Sequence, residues 1–202
     1  MQVIRATTYR RMPWKNGGGE TAEIAIAPTG ARLEDFDWRI SMARVDGDGP
    51  FSVFDGVDRT LTILTGAGMQ LDIAGQGRRE LSPESEPFAF AADVATTATL
   101  LSGSITDLNV MTRRGRATHR VVRHVIDREL TISPCAQHTF IVCAAGSVRV
   151  ASTRGAIDLA EMDTLCVDAG GPALRLDAAG RSVVLAIAVD AAAAGTRRAR
   201  DP

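Results

Sequence analysis

Trp14, Lys15 and Asn16 run directly into Gly17, Gly18 and Gly19. No other string in the chain is so unusual. Three glycines let the backbone take positive φ and approach a partner without a clash. Lys15 offers a point charge, Asn16 a donor and an acceptor, Trp14 a broad apolar face. The combination predicts a loop that grips a small polar ligand, although a turn pinned by a buried Trp would use the same residues. It is not a phosphate loop of the Walker type, because the GxxxxGK[ST] order is absent and no helix follows.

Further along, Asp37–Ala43 alternates. Arg39, Ser41 and Ala43 share one face, and Trp38, Ile40 and Met42 the other. An Arg facing a cavity is costly unless it is paired, which implies an acidic partner or an anionic ligand. Asp107, Asn109 and Met111 lie likewise on one face of a strand. Asp107 is expected to pair with Arg39 or Arg59, freeing the other guanidinium for a ligand carboxylate. A plain structural salt bridge is the competing reading. Thr60, Thr62 and Leu64 alternate together, which predicts Arg59 at a barrel mouth and not deep inside. Phe51 and Phe54 could form a lid or staple the core.

Other chemistries lack their residues. No histidine precedes His119, and His124 and His138 are the only others. The first half therefore cannot supply a His-rich metal triad, and no metal or other cofactor is expected. No Ser-His-Asp order or paired-carboxylate arrangement stands out, so no catalytic residue is assigned. Cys135, Cys143 and Cys166 lack CxxC spacing and read as small buried hydrophobes with reduced thiols. The basic stretch from Arg113 to His124 lacks aromatics for base stacking, and the net charge is −1. It reads as an exposed linker and not as a nucleic-acid surface.

These groups need a scaffold. The chain has 202 residues, 45% hydrophobic and 23% charged, which suits a globular core. No signal sequence or membrane span is visible, which predicts a cytoplasmic protein. The dominant period is two, in short apolar runs such as 60–64, 69–73, 107–111, 140–143 and 183–189. That pattern predicts many antiparallel strands. Only Arg32–Asp35 and the alanine-rich 191–194 could hold a helix, and the polar tail 195–202 is expected to fray. The segment 59–69 resembles 138–148, and matching features follow each copy at nearly constant spacing. The duplication predicts two small β-barrels packed together. The first spans 1–116 and holds the pocket, the second is a degenerate 117–190, and 191–202 is a tail.

Four segments in the first 115 residues then resemble the HutD/Ves family: MPWKNGGGETAEIA (12–25), the run 37–72, FAF (88–90) and DLNVMTRRG (107–115), with WRIS, GPFS and DRTLTIL inside the long run. The resemblance implies an all-β bicupin, two jelly-roll barrels of the RmlC-like cupin superfamily. It implies a non-enzymatic protein that binds a small carboxylate and moderates histidine utilisation or a stress response. The implied ligand is formylglutamate-like, formiminoglutamate-like or urocanate-like. Trp14, Lys15, Asn16, Arg39, Ser41, Arg59, Asp107, Asn109 and Met111 would form its site. A homodimer is expected without an identified seam. The alternative is a metal-free cupin isomerase or lyase acting on a small sugar or keto acid. Such enzymes use a base poised near neutral pH, and here Asp107 or Lys15 would have to serve.

Overall fold

The computed structural model describes residues 1–192. Its strands are β1 (Gln2–Ile4), β2 (Arg10–Pro13), β3 (Gly19–Ala27), β4 (Trp38–Val45), β5 (Gly49–Pro50), β6 (Val57–Thr65), β7 (Met69–Ile73), β8 (Gly77–Leu81), β9 (Phe88–Ala91), β10 (Thr96–Leu100) and β11 (Ile105–Arg113). The C-terminal half continues with β12 (Ala117–Ile126), β13 (Glu129–Ile132), β14 (His138–Ala145), β15 (Val148–Ser152), β16 (Gly155–Leu159), β17 (Thr164–Asp168), β18 (Leu174–Ala178) and β19 (Ser182–Ala191). All strand pairings are antiparallel.

Four sheets stack in layers. In the N-terminal half a six-stranded sheet, β2-β3-β4-β11-β6-β9, covers a four-stranded one, β5-β10-β7-β8. In the C-terminal half a five-stranded sheet, β1-β17-β14-β19-β12, covers β13-β18-β15-β16. The strand order β4-β11-β6-β9 recurs as β12-β19-β14-β17, and β5-β10-β7-β8 recurs as β13-β18-β15-β16. Both copies carry a bulge near the end of the long central strand, beside Ile63 in one and Cys143 in the other. The expected all-β bicupin is what the chain forms. The amino-terminal β1 nonetheless pairs with β17, in the sheet of the C-terminal half.

Alternation explains the layering. On β4 and β11 the even-numbered Ile40, Met42, Leu108 and Val110 turn outward. There they pack on Phe140, Val142, Leu185 and Ile187 of the five-stranded sheet. The odd-numbered side chains turn inward, toward Met69, Leu71 and Ile73 of the facing sheet. Because the six-stranded sheet is covered on both faces, residues 59–64 are buried without interruption.

Several expectations need correction. Arg32–Asp35 is a turn closed by Asp35 N–H donating to Arg32 O (3.1 Å), not a helix. The one helical element among the described residues is a 3-10 turn at Ala6–Thr8. At the other end β19 runs through Ala191, so the 191–194 helix fails there. Residues 193–194 and the tail 195–202 lie outside the described residues. The basic stretch 113–124 is not a linker, for β12 pairs with β19 along its whole length. Three of its arginines, Arg113, Arg114 and Arg116, bond to the N-terminal half. Arg113 donates to the carbonyls of Phe36 (3.0 Å), Asp55 (3.1 Å) and Glu34 (2.7 Å), and Arg116 to Asp37 (2.9 Å). Cys143 is buried as expected, but Cys166 is only half-buried, and Cys135, in the loop before β14, is exposed. Among the described residues, no helix is long and apolar enough to cross a membrane.

Candidate functional site

Register brings the polar residues of three strands together inside the N-terminal half. Across the sheet, Met111 pairs with Arg39 on one side and Arg59 on the other. One step down, Asn109 pairs with Ser41 and Leu61, and Asp107 follows between Ala43 and Ile63. All of these side chains face inward, so Arg39, Ser41, Arg59, Asp107, Asn109 and Met111 line one interior. Ser41 and Met111 are buried there.

The two arginines are treated differently. Arg39 is 6% exposed, and its Nε donates to Glu23 Oε2 at 2.8 Å. Glu23, on β3 opposite Ser41, was not anticipated. The alternation of Thr21 and Glu23 against Ala22 and Ile24 carried the signal that could have found it. Arg59, near the start of β6, is 4% exposed beneath the loop between β5 and β6. Phe51, Phe54 and Phe90 surround its guanidinium, with ring centroids 4.9, 5.6 and 5.7 Å from Cζ. One Nη2 donates to the Ser52 carbonyl at 3.1 Å, but Nε has no partner. Among the described residues the only other buried side-chain polar atom without one is Thr62 Oγ1. Burial pulls Arg59 down to about 10, with Asp107 opposing the shift and Arg39 adding to it.

Asp107 pairs with neither arginine as an ion pair, contrary to expectation. It accepts from Asn109 Nδ2 at 2.6 Å. It is 1% exposed, and burial pushes its carboxyl up to about 7 against the pull of Arg59 and the Asn109 bond. The reason for the misassigned pair is register: Glu23 stands beside Arg39 across the β3–β4 ladder, while Asp107 lies lower in the interior.

The glycine loop sits elsewhere. Gly19 pairs with Val45, and Arg39 lies at the other end of β4, about 20 Å away along the strand. The loop is a tight turn between β2 and β3. Gly17 N–H donates to Trp14 O, Asn16 Oδ1 accepts from Gly18 N–H, and Gly17 takes φ +71°. Trp14 packs on the interior core and donates from Nε1 to Thr21 Oγ1 (2.8 Å). Lys15 and Asn16 are exposed. The structure therefore does not bring Lys15 and Asn16 together with Arg39 and Arg59. Trp14 plugs the opposite end of the same interior.

A groove of about 430 Å³ runs along these strands, past Asp58, Arg59, Thr60, Phe90, Thr112 and His119. Two of its hydroxyls are taken up by the His119 ring. His119 Nε2 bonds Thr60 Oγ1 (2.8 Å) and Nδ1 bonds Thr112 Oγ1 (2.7 Å). Among the described residues no three His, Cys, Asp or Glu side chains gather as a metal set. The interior donors Glu23 and Asp107 sit beside arginines, so they do not fit a cation either. The buried polar set includes one guanidinium, Arg59, with no ion-pair partner among the described residues and an unfilled donor, which is chemistry for an anion.

A family model described as HutD matches residues 6–186. An uncharacterized 21.2 kDa protein in the hutC 3′ region of Pseudomonas putida is 44% identical over 111 residues, 55% of this chain and 57% of that protein. Protein Ves of Citrobacter koseri is 43% identical over 126 residues, 60% of this chain and 63% of its own. The alignments thus span less than two thirds of either relative. Among solved structures, HutD from Pseudomonas fluorescens SBW25 superposes with a TM-score of 0.80 at 35% identity, over 95% of this chain and 99% of that one. A conserved protein of unknown function from Pseudomonas aeruginosa PAO1 gives 0.86 at 34% identity, over 94% and 98%. Oxalate decarboxylase from Bacillus subtilis shares the fold alone, with a TM-score of 0.66 at 10% identity, over 93% of this chain and 76% of that one. With the duplicated sheets, the buried arginines and a family match over nearly its whole length, this chain belongs to the HutD family.

Proposed function

We infer that the N-terminal half binds a small carboxylate, and that the protein acts by binding, as a moderator of histidine utilisation, rather than by catalysis. The observation that carries this reading is Arg59: a guanidinium 4% exposed, walled by three phenylalanines, with Nε unsatisfied. A buried donor without a partner is costly, and a carboxylate oxygen would relieve that cost with a charge-assisted bond. Ser41, Asn109 and the Arg39–Glu23 pair surround it as orienting groups. Trp14 closes the far end of the interior, and the exposed Lys15 and Asn16 stand outside this set. A formylglutamate-like, formiminoglutamate-like or urocanate-like acid has the required charge.

A thermal-shift series with these three acids tests the reading. A ligand at a hundred times its Kd stabilises by about 2.7 kcal/mol, or about 5–10 °C for a chain this long. Arg59→Ala is expected to abolish the shift while the variant still unfolds cooperatively. No shift with any of the acids at millimolar concentration would sink the assignment. The alternative, a metal-free isomerase or lyase, draws on one observation, that Asp107 is pushed up to about 7, where an acid–base group works. Product formation from a bound acid, lost in Asp107→Asn, would favour it.

A further inference from the structure

Asp107 stands beside the proposed anion site yet carries the wrong charge to welcome an anion. Four charged side chains meet in this interior: Glu23 on β3, Arg39 on β4, Arg59 on β6 and Asp107 on β11. The facing sheet adds no charged group near them: its inward residues include Met69, Leu71, Ile73 and Ala98, with the Thr96 hydroxyl donating to the Val94 carbonyl. Glu23 neutralises Arg39 at 2.8 Å. That leaves Arg59, which makes no ion pair among the described residues, as the one uncommitted cation for both Asp107 and an incoming ligand.

A carboxylate docking on the free edge of Arg59 would place a second anion in a poorly solvated interior that already holds the Asp107 carboxylate. Like charges in such surroundings drive one group to its acid form. We propose that in alkaline solution the site takes up one proton with each carboxylate it binds, and that Asp107 receives it. This rests on the carboxylate reading above. The step balances simply: a solvent proton bonds to an Asp107 oxygen, and no other bond is made or broken. The interior then holds two guanidinium cations against Glu23 and one ligand anion, and it is neutral. The ligand group buried at Arg59 is accordingly a single monoanionic carboxylate. A dianionic group such as phosphate would leave the interior charged. Neutral Asp107 also gains an O–H donor, which it can offer to the ligand's second oxygen.

The sign of the pH dependence follows. Burial already holds the empty-site Asp107 at about 7, and a bound carboxylate raises it further. Below pH 7 the proton is in place before binding, and affinity is flat. Above pH 7 it must be fetched from solvent, and affinity falls toward about tenfold per pH unit.

Sodium formate, which stays ionised throughout, is the probe. It is titrated into the full chain at pH 6, 7, 8 and 9, with binding followed by protein NMR. In parallel, proton uptake is measured on adding pH-matched formate to weakly buffered protein at pH 8. The expected result is roughly 10- to 100-fold weaker binding at pH 9 than at pH 7, with close to one proton taken up per site filled. Asp107→Asn, which mimics the neutral acid, should bind equally at pH 6 and pH 9 and take up no proton. Binding by the wild type without proton uptake, or the same pH slope in Asp107→Asn, overturns the proton coupling alone. No formate binding at any pH overturns the carboxylate reading and the coupling with it. If Asp107→Asn does not fold, the proton count on the wild type decides by itself.

Discussion

Met111 separates two arginines that one interior treats in opposite ways. Arg39 is matched by Glu23, so removing that carboxylate strands a buried cation. Glu23→Ala is expected to cost about 3–5 kcal/mol, read as a lower midpoint in urea unfolding. Asp107 gives a prediction of the other sign. Its folded carboxyl titrates near 7, against an ordinary value of 3.8. Between those values the folded chain holds a proton that the unfolded chain has released. Stability from this group is therefore full below about pH 4 and is lost as pH rises to about 7. Asp107→Asn should match the wild type at pH 4 and exceed its unfolding midpoint at pH 8. An Asp107→Asn variant less stable at pH 8 than the wild type would contradict this. Much of this chemistry was legible in the bare sequence, since alternation along 39–43 and 107–111 marks which side chains share a face. Glu23 escaped because pairing depends on register between strands, and a bulge after Glu23 shifts the β3–β4 register.

At the scale of elements, the duplication shows which half carries the buried polar set and which does not. Aligning the two copies through their registers puts Val184 in place of Asp107, Ala186 in place of Asn109 and Thr139 in place of Arg59. The second interior is apolar, built on Ile141, Cys143, Val150, Leu165 and Leu176. The repeat itself was visible in residues 59–69 and 138–148. The strand β12 was hidden because four of its residues are Arg or His on an edge of the sheet, where charge is the norm. The glycine loop was legible as unusual, but its purpose was not. Gly19 is required for close approach, since a Cβ there would stand 2.2 Å from the Arg44 carbonyl oxygen and 3.1 Å from the Trp14 ring. Gly19→Ala is expected to destabilise by about 1–3 kcal/mol through that clash. A thermal midpoint unchanged from the wild type would show that the turn can yield.

At the scale of the molecule, the two halves adhere through a face of Ile40, Met42, Leu108 and Val110 against Phe140, Val142, Leu185 and Ile187. At the rim, His119 of β12 spans Thr60 and Thr112 of the other half. Burial lowers its imidazole to about 4 from 6.5, against the pull of Asp58. The neutral ring is thus part of the folded state. Its contribution is whole above pH 6.5 and is lost as pH falls toward 4. His119→Gln should flatten the decline in stability over that interval relative to the wild type, as measured by denaturant titration at each pH. The amino-terminal strand adds one more consequence. The sheets of the N-terminal half use only β2 to β11, so every partner they need has been synthesised by Arg113. The partner of β1 is β17, which begins at Thr164. On the ribosome the strands of the N-terminal half can all pair by then, while the first three-residue strand waits for nearly the whole chain. A fragment begun at Ala117 would leave the β17 edge bare and prone to pair with another copy. The N-terminal half is thus spliced into its partner, and the two cannot be parted cleanly at the boundary that the duplication suggests.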